Sequence, residues 1–311
     1  MSELLNENAN GHIPVLLNEV LEGLAIKPDG TYLDVTGGRG GHSAAILARL
    51  NDQGRLFITD RHEPAAKILT TRFKDDARVR VLHQRFSQVF SNLDYPFDGI
   101  LGDLGISSPQ LDDIDLGIGF QASEAPLDMR LDQTGETAAD LLAEWAEDDL
   151  ARIFYIYGGE RGSRKIARAI VHDRSARPFL KTGDLSGLCE RVLGKFYRGR
   201  KIHPATKVFQ ALRIAVNDEM GELEAFLDKA PQSLAPGGRL AVISFHEGED
   251  RPVKTAFRKL AQEDAFRLVV KKVITPSEAE CAENPRARSA KLRVLERDVE
   301  ASQNGSAARR L

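Results

Sequence analysis

Over the first hundred residues, short apolar runs alternate with amphipathic stretches. Thr31-Tyr-Leu-Asp-Val35, Arg55-Leu-Phe-Ile-Thr-Asp60, Arg78-Val-Arg-Val-Leu82 and Asp98-Gly-Ile-Leu-Gly-Asp103 read as strands, with helices over 44–50 and 67–73 between them. Strands that are apolar along most of their length and separated by helices form a parallel sheet covered on both faces. From Leu111 to about Lys201 the pattern is helical, with no convincing strand. The alternation then resumes. A helix is expected over 203–230, where Val208, Leu212, Ala215, Val216, Leu223, Phe226 and Leu227 follow a 3.6-residue period. The turn Leu234-Ala-Pro-Gly-Gly238 precedes a strand over 239–245, and two further strands are expected over 266–274 and 290–295. The pattern implies an α/β domain built from 1–110 and 206–311, interrupted by an inserted helical domain over 111–205.

Charge divides the insertion. Residues 112–149 hold twelve acids and a single base, Arg130, whereas 160–181 hold seven Lys or Arg against two acids and 191–207 add six more with no acid. The basic clusters, with Phe196 and Tyr197 interleaved, suit a surface that follows phosphates and stacks bases. The alternative is internal pairing with the acidic half. The whole chain of 311 residues carries a net charge of −3, so no global excess announces a nucleic-acid partner. Two cysteines, Cys189 and Cys281, exclude a disulfide scaffold and a four-thiolate zinc site. No apolar run is long enough to span a membrane, and the start lacks the basic and apolar regions of a signal peptide. The expected compartment is the cytoplasm.

The most informative stretch is Asp34-Val-Thr-Gly-Gly-Arg-Gly-Gly-His-Ser43, between a strand and a helix. Its glycines allow a tight turn and close approach to a ligand. Asp60, ending the second strand, is placed to bind ribose hydroxyls. That much suits NAD or S-adenosylmethionine (AdoMet). The dinucleotide spacing Gly-x-Gly-x-x-Gly fails at Ser43, and Asp34 just before the glycines would repel a pyrophosphate but attract an ammonium. AdoMet is therefore preferred, with an NAD-dependent oxidoreductase as the alternative. At the end of the fourth strand, Asp103-Leu-Gly-Ile-Ser-Ser-Pro-Gln110 faces the same side of the sheet. Asp103 and the Ser107-Ser108-Pro109 loop are candidates to receive a planar amine, against the plainer possibility of a Pro-stopped turn.

Several longer motifs converge. The chain carries His12-Ile-Pro-Val-Leu-Leu17, the Gly-Gly-His-Ser loop, Asp103-Leu-Gly-Ile-Ser-Ser-Pro-Gln-Leu-Asp-Asp113 and Pro126-Leu-Asp-Met-Arg130. It also carries His203-Pro-Ala-Thr206, Phe209-Gln-Ala-Leu-Arg213 and Glu283-Asn-Pro-Arg-Ala-Arg-Ser289. In this set and order the chain resembles the bacterial 16S rRNA cytosine-N4 methyltransferases, the RsmH or MraW family, from His12 to about Arg297. The resemblance implies a class I, Rossmann-like AdoMet-dependent methyltransferase sheet with an inserted helical domain that helps hold RNA. It implies methylation of the N4 amine of a decoding-centre cytidine, in 16S rRNA of the small ribosomal subunit or its precursor. Carried over, the cofactor contacts are Gly40, Gly41, His42, Asp60, Phe86, Asp103 and Gln110, of which Phe86 and Gln110 come from the resemblance alone. A non-catalytic RNA-binding assembly factor that keeps only the fold is a third reading.

Three positions depart from the family pattern. Gly37 stands where the family usually has Phe, which would loosen the adenosyl wall. Arg61-His-Glu-Pro64 has one residue more than the family's Arg-Asp-Pro. Ser244-Phe-His-Glu-Gly-Glu-Asp-Arg251 replaces Ser-Phe-His-Ser-Leu-Glu-Asp-Arg. The His246, Glu247, Glu249 and Asp250 cluster matches no zinc spacing, so no metal is expected and the segment is read as a loop bordering the target base. Gln210, Arg213 and Asn217 share the face opposite the apolar stripe of the 203–230 helix and are expected to be solvated or to touch substrate or active-site loops. Neither cysteine lies in a Pro-Cys pair, which disfavours carbon-5 methylation through a thiolate adduct.

Overall fold

The computed structural model describes residues 14–299 except 94, 108, 109 and 112. Two compact units emerge: Met1–Gly105 with Gly221–Leu311, and Ile106–Met220.

The first unit is a seven-stranded sheet in the order β3-β2-β1-β4-β5-β7-β6. The strands are β1 (Thr31–Asp34), β2 (Arg55–Asp60), β3 (Val79–His83), β4 (Phe97–Asp103), β5 (Leu234–Ser244), β6 (Phe266–Leu268) and β7 (Lys291–Arg297). The first five pair in parallel and β7 runs antiparallel to both β5 and β6. This is the Rossmann-like class I sheet that the resemblance implied. Leu240, Ala241, Val242 and Ile243 of β5 and Ile100 and Leu101 of β4 are fully buried, as continuous apolar runs in a doubly covered sheet must be. Helices α1 (Leu17–Leu24), α2 (Gly41–Leu47), α3 (Glu63–Arg72) and α4 (Phe86–Asn92) lie in its first half. Gly99 has a bare Cα because an added Cβ would sit 2.6 Å from the Tyr32 ring.

The second unit contains α5 (Ala138–Glu144), α6 (Glu147–Ile156), α7 (Ser163–Asp173), α8 (Thr182–Leu193) and α9 (Thr206–Val216). Amphipathicity forms these helices. In α7, Ile166, Ala167 and Ile170 are buried while Arg164, Lys165 and Arg168 are exposed. Thr137 and Asp140 close a reciprocal capping box at the start of α5. The core gathers Leu141, Leu150, Phe154, Ile166, Leu188 and Leu212, among others.

The helix expected over 203–230 is two helices. Asp218, in the left-handed conformation at φ 46°, separates α9 from α10 (Glu219–Lys229). Val208, Phe209, Ala211 and Leu212 of α9 pack in the helical core, so the junctions fall at 105/106 and 220/221 rather than 110/111 and 205/206. The strand expected over 266–274 shrinks to Phe266–Leu268, with a lone bridge from Ile274 to Leu292. After β5 come α11 (Glu247–Leu260) and, before β7, the short α12 (Glu278–Glu283). Among the described residues, no helix is long and apolar enough to cross a membrane.

Candidate functional site

The strand order reverses between β1 and β4, which are paired neighbours although β2 and β3 intervene in sequence. In an open α/β sheet, the crevice beyond the carboxyl ends of two such strands is the ligand site, because their following connections diverge to opposite faces. Here β1 ends at Asp34, β2 at Asp60 and β4 at Asp103.

The glycine loop is built by these acids. Asp34 is 1% exposed. Its Oδ2 accepts a 2.6 Å hydrogen bond from Ser43 Oγ and its Oδ1 accepts one from Thr36 N at 3.2 Å, so it ties the two ends of the loop together. The Asp34 carboxylate is thus engaged within the loop by two donors. Asp60 Oδ2 accepts from Gly38 N at 2.9 Å and Oδ1 from His62 N at 2.8 Å. Gly37 N donates to Thr59 O at 2.9 Å. Gly38 and Gly40 adopt φ 54° and 78°, open to glycine at little cost. Burial raises the pKa of both acids, Asp34 to about 6, against the hydrogen bonds that favour their charged forms.

Two departures from the family pattern find their place here. An added Cβ at Gly37 would lie 2.4 Å from Ile58 Cγ2 and 2.7 Å from Leu69 Cδ1. The bare Cα thus lets Ile58 and Leu69 close in, and the looser wall expected from a missing ring is not seen at this position. The additional residue after Asp60 is taken up in a turn: His62 caps α3, Pro64 sits in its first turn, and the N–H of His62 is the one Asp60 holds.

His42 is buried in the first turn of α2, its Nε2 3.0 Å from the Val15 carbonyl and its Nδ1 3.7 Å from Asp103 Oδ2. Gly41 presses on Pro14, where a Cβ would come within 2.5 Å of Cγ. Phe86 opens α4, half-buried, with its ring edge-on to Phe226 at 5.5 Å between centroids. Asp103 keeps 26% of its side-chain surface exposed, yet Oδ1 is enclosed and, among the described residues, has no hydrogen-bond partner. Burial first, then the charges of Asp34 and Glu249, push its pKa up to about 8.

The sheet unit therefore brings together Gly40, Gly41, His42, Asp60 and Asp103 around the carboxyl ends of β1, β2 and β4. In the helical unit, Ser107 N donates to Gln110 Oε1 at 2.8 Å, and Gln110 is 7% exposed. Ser108 and Pro109 lie outside the described residues.

Sequence reasoning missed what the Ser244–Arg251 segment does. Glu249 is 2% exposed and its Oε2 accepts from Phe245 N at 2.8 Å, while Asp250 pairs with Arg293 at 2.7 Å and Lys291 at 3.3 Å. These acids anchor α11 to the sheet. The signal that could have found them is the buried-facing position of Glu249 and Asp250 on the apolar side of α11, with Val253 and Phe257.

The polar face assigned to Gln210, Arg213 and Asn217 is neither solvated nor open to substrate at its last two members. Arg213 and Asn217 are 8% and 3% exposed. Arg213 forms a two-pronged pair with Glu219 at 2.8 Å, and Asn217 accepts from Leu131 N and donates to Met129 O. Met129 takes φ 68° and needs that support. These residues pin the Pro126–Arg130 motif from within the helical unit.

The basic clusters divide. Lys181 pairs with Glu124, Arg168 with Glu147, Arg177 with Asp184 and Arg191 with Asp173. Only the first two reach the acidic half. Among the described residues, Arg161, Arg164, Lys165, Lys195, Arg198, Arg200 and Lys201 form no ion pair with an acid, and all seven are exposed. Phe196 is 52% exposed with Lys165 Nζ 4.5 Å above its ring, and Arg200 stacks over Tyr197.

Comparison with known proteins follows the same residues. Residues 9–298 match the family model described as the MraW methylase family. The chain is 48% identical over 299 residues to the ribosomal RNA small subunit methyltransferase H of Nostoc punctiforme, covering 95% of this chain and 97% of the relative. It is 47% identical over 288 residues to the protein of the same name from Synechococcus elongatus, covering 92% and 94%. Among solved structures, an rRNA methylase from Streptococcus thermophilus is similar with a TM-score of 0.41 and 13% identity, over 92% of this chain and 99% of that one.

Proposed function

Since this chain belongs to the MraW methylase family, we propose that it is an AdoMet-dependent methyltransferase of small-subunit ribosomal RNA, and that its target is the N4 amine of a decoding-centre cytidine in 16S rRNA. One observation carries the reading. It is the match over nearly the whole chain to relatives of that name, in a protein whose β1, β2 and β4 end in acids at the strand-order reversal.

The residues present fit the cofactor. The glycine loop offers bare backbone at Gly40 and Gly41, Asp60 retains a second lone-pair direction on each oxygen for ribose hydroxyls, and Phe86 is an aromatic ring left half-buried. Gly40, Gly41, His42, Asp60, Phe86, Asp103 and Gln110 would hold it. Bound there, AdoMet supplies an activated methyl group.

An exocyclic cytosine amine is a weak nucleophile because its lone pair is delocalised into the ring. It needs positioning and an acceptor more than a covalent intermediate. Asp103, which keeps 26% of its side-chain surface exposed, accepts the amine hydrogen while positive charge builds on nitrogen. Ser107, Ser108 and Pro109 are the further candidates to receive the amine, and the base must leave its stack to be reached. The exposed bases of 161–165 and 195–201, with Phe196 among them, suit the phosphates and unstacked bases of a folded RNA.

The test is transfer of labelled methyl from AdoMet to small subunits purified from cells lacking this protein, followed by mass-spectrometric mapping of the modified nucleoside. N4-methylated cytidine at one decoding-centre position is the expected result. Label on carbon 5 or on another RNA would overturn the assignment, and binding of RNA and AdoMet without transfer would point to an assembly factor.

A further inference from the structure

Helix α10 carries an acid where its packing calls for an apolar residue. Glu222, Leu223, Phe226 and Leu227 form its buried face, and Glu222 is 7% exposed. Burying a carboxylate is costly, and a leucine would fill the space without that cost. What the carboxylate adds is direction, through the partners it holds. Those partners flank a single residue. Glu222 Oε2 accepts from Ser87 N at 3.3 Å, and Oε1 lies 3.6 Å from Arg85 Nη1. One turn further along α10, the Phe226 ring meets the Phe86 ring edge-on, and beyond it Lys229 Nζ donates to Ser87 O at 3.3 Å. Glu222, Phe226 and Lys229 are spaced i, i+4 and i+7, so one stripe of α10 grips Arg85, Phe86 and Ser87.

The stripe is itself seated on the sheet. Phe226 is fully buried, and an added Cβ at Gly102, the neighbour of Asp103 on β4, would lie 3.2 Å from its ring. The segment before Phe86 is tied to β2 instead. Thr59 Oγ1 donates to Gln84 O at 2.9 Å, and Gln84 N donates to Asp60 O at 3.1 Å. His83, the partner of Asp60 across β2 and β3, stands three residues before Phe86. The half-buried Phe86 ring is thus fixed from two sides, close along the chain to the acid placed to hold a ribose. A nucleoside carries its base directly on that ribose. From this arrangement we propose that Glu222, assisted by Lys229, is a positioning residue for the cofactor: it sets the Phe86 ring for the adenine by holding Arg85 and Ser87, and acts through Phe86 rather than by touching AdoMet. The inference rests on the AdoMet reading above, with Phe86 among the contacts.

Calorimetric titration of AdoMet into the full chain tests this. Glu222→Leu keeps the packing and removes the acceptor, so the protein should fold yet bind AdoMet about fivefold more weakly, short of the roughly tenfold loss for Phe86→Ala. Glu222→Gln keeps an acceptor for Ser87 N and should return the Kd to within about twofold of the parent. In a Phe86→Ala background, Glu222→Leu should add less than about twofold, because its effect passes through a ring that is gone. Losses that multiply in the double variant would overturn the proposal, as would parent-like affinity in Glu222→Leu beside a loss in Phe86→Ala. A Gln variant as weak as the Leu variant would overturn it too. Parent-like affinity in Phe86→Ala would instead remove Phe86 from the cofactor site, and a parent protein that fails to bind AdoMet would overturn the cofactor reading itself. Should Glu222→Leu not fold, Lys229→Met removes the bond to Ser87 O from the outer end of the same stripe. Its expected loss of about twofold must likewise vanish in Phe86→Ala, and a loss that persists there would overturn the proposal.

Discussion

The two units of this molecule treat charge in opposite ways. In the sheet unit, Asp34, Asp60 and Glu249 are each less than 9% exposed, and backbone N–H groups or a hydroxyl hold them where cations might have been expected. In the helical unit most charges stay on the surface, with Glu160 and the Arg213–Glu219 pair as buried exceptions. Some are matched in exposed pairs such as Lys181–Glu124 and Arg168–Glu147, and seven bases have no acid partner among the described residues. The same residue types therefore do different work. A buried carboxylate has its protonation set by its neighbours and can take part in chemistry. An exposed base keeps its ordinary charge and acts through the field it presents to a polyanion.

If that contrast is right, the largest effect of any single substitution should come from the sheet unit. Asp103→Asn keeps the size of the side chain and removes the charge, and methyl transfer at saturating cofactor should fall by about 10²-fold or more. A saturated single-turnover rate within threefold of the parent would reduce Asp103 to a cofactor ligand and move the catalytic burden to the Ser107-Ser108-Pro109 loop.

Next comes Asp60→Ala, which removes the acceptor for ribose hydroxyls and also frees the N–H groups of Gly38 and His62. AdoMet affinity should drop by on the order of 1.5–3 kcal/mol, with a lowered melting temperature for the free protein. Unchanged affinity in a titration would separate the loop clamp from the cofactor site.

In the helical unit, neutralising Arg198, Arg200 and Lys201 together should weaken RNA binding and flatten its salt dependence by up to about three counterions, leaving AdoMet affinity intact. An unaltered slope would mean that these bases do not meet phosphate. The smallest effect belongs to the exposed pairs: Lys181→Ala should shift unfolding free energy by less than about 1 kcal/mol, because both partners are more than half exposed. A larger loss in chemical denaturation would show that the acidic and basic halves hold the helical unit together, erasing the contrast.

Much of this was legible along the chain. Four of the first five strands were expected within about two residues of where they lie, because buried parallel strands must be apolar throughout and leave an unmistakable pattern. The fifth starts earlier, at Leu234, since its Pro-Gly-Gly stretch is drawn into the strand rather than left as a turn. The glycine loop and the acids at the strand ends were visible for a similar reason: their spacing is set by backbone geometry, which is local.

What escaped the linear reading is everything settled by a partner distant in sequence. Arg213 and Asn217 looked like a wet face until Glu219, Met129 and Leu131 closed around them. Glu249 and Asp250 looked like loop residues until the end of β5 and strand β7 gave them Phe245, Arg293 and Lys291. Composition and periodicity determined that this chain would form an α/β sheet with a helical insertion and would gather acids at the sheet's carboxyl edge. Only the tertiary structure decided which of those acids would be supplied with hydrogen-bond donors, because desolvation and donor supply depend on distances between residues that the chain keeps far apart.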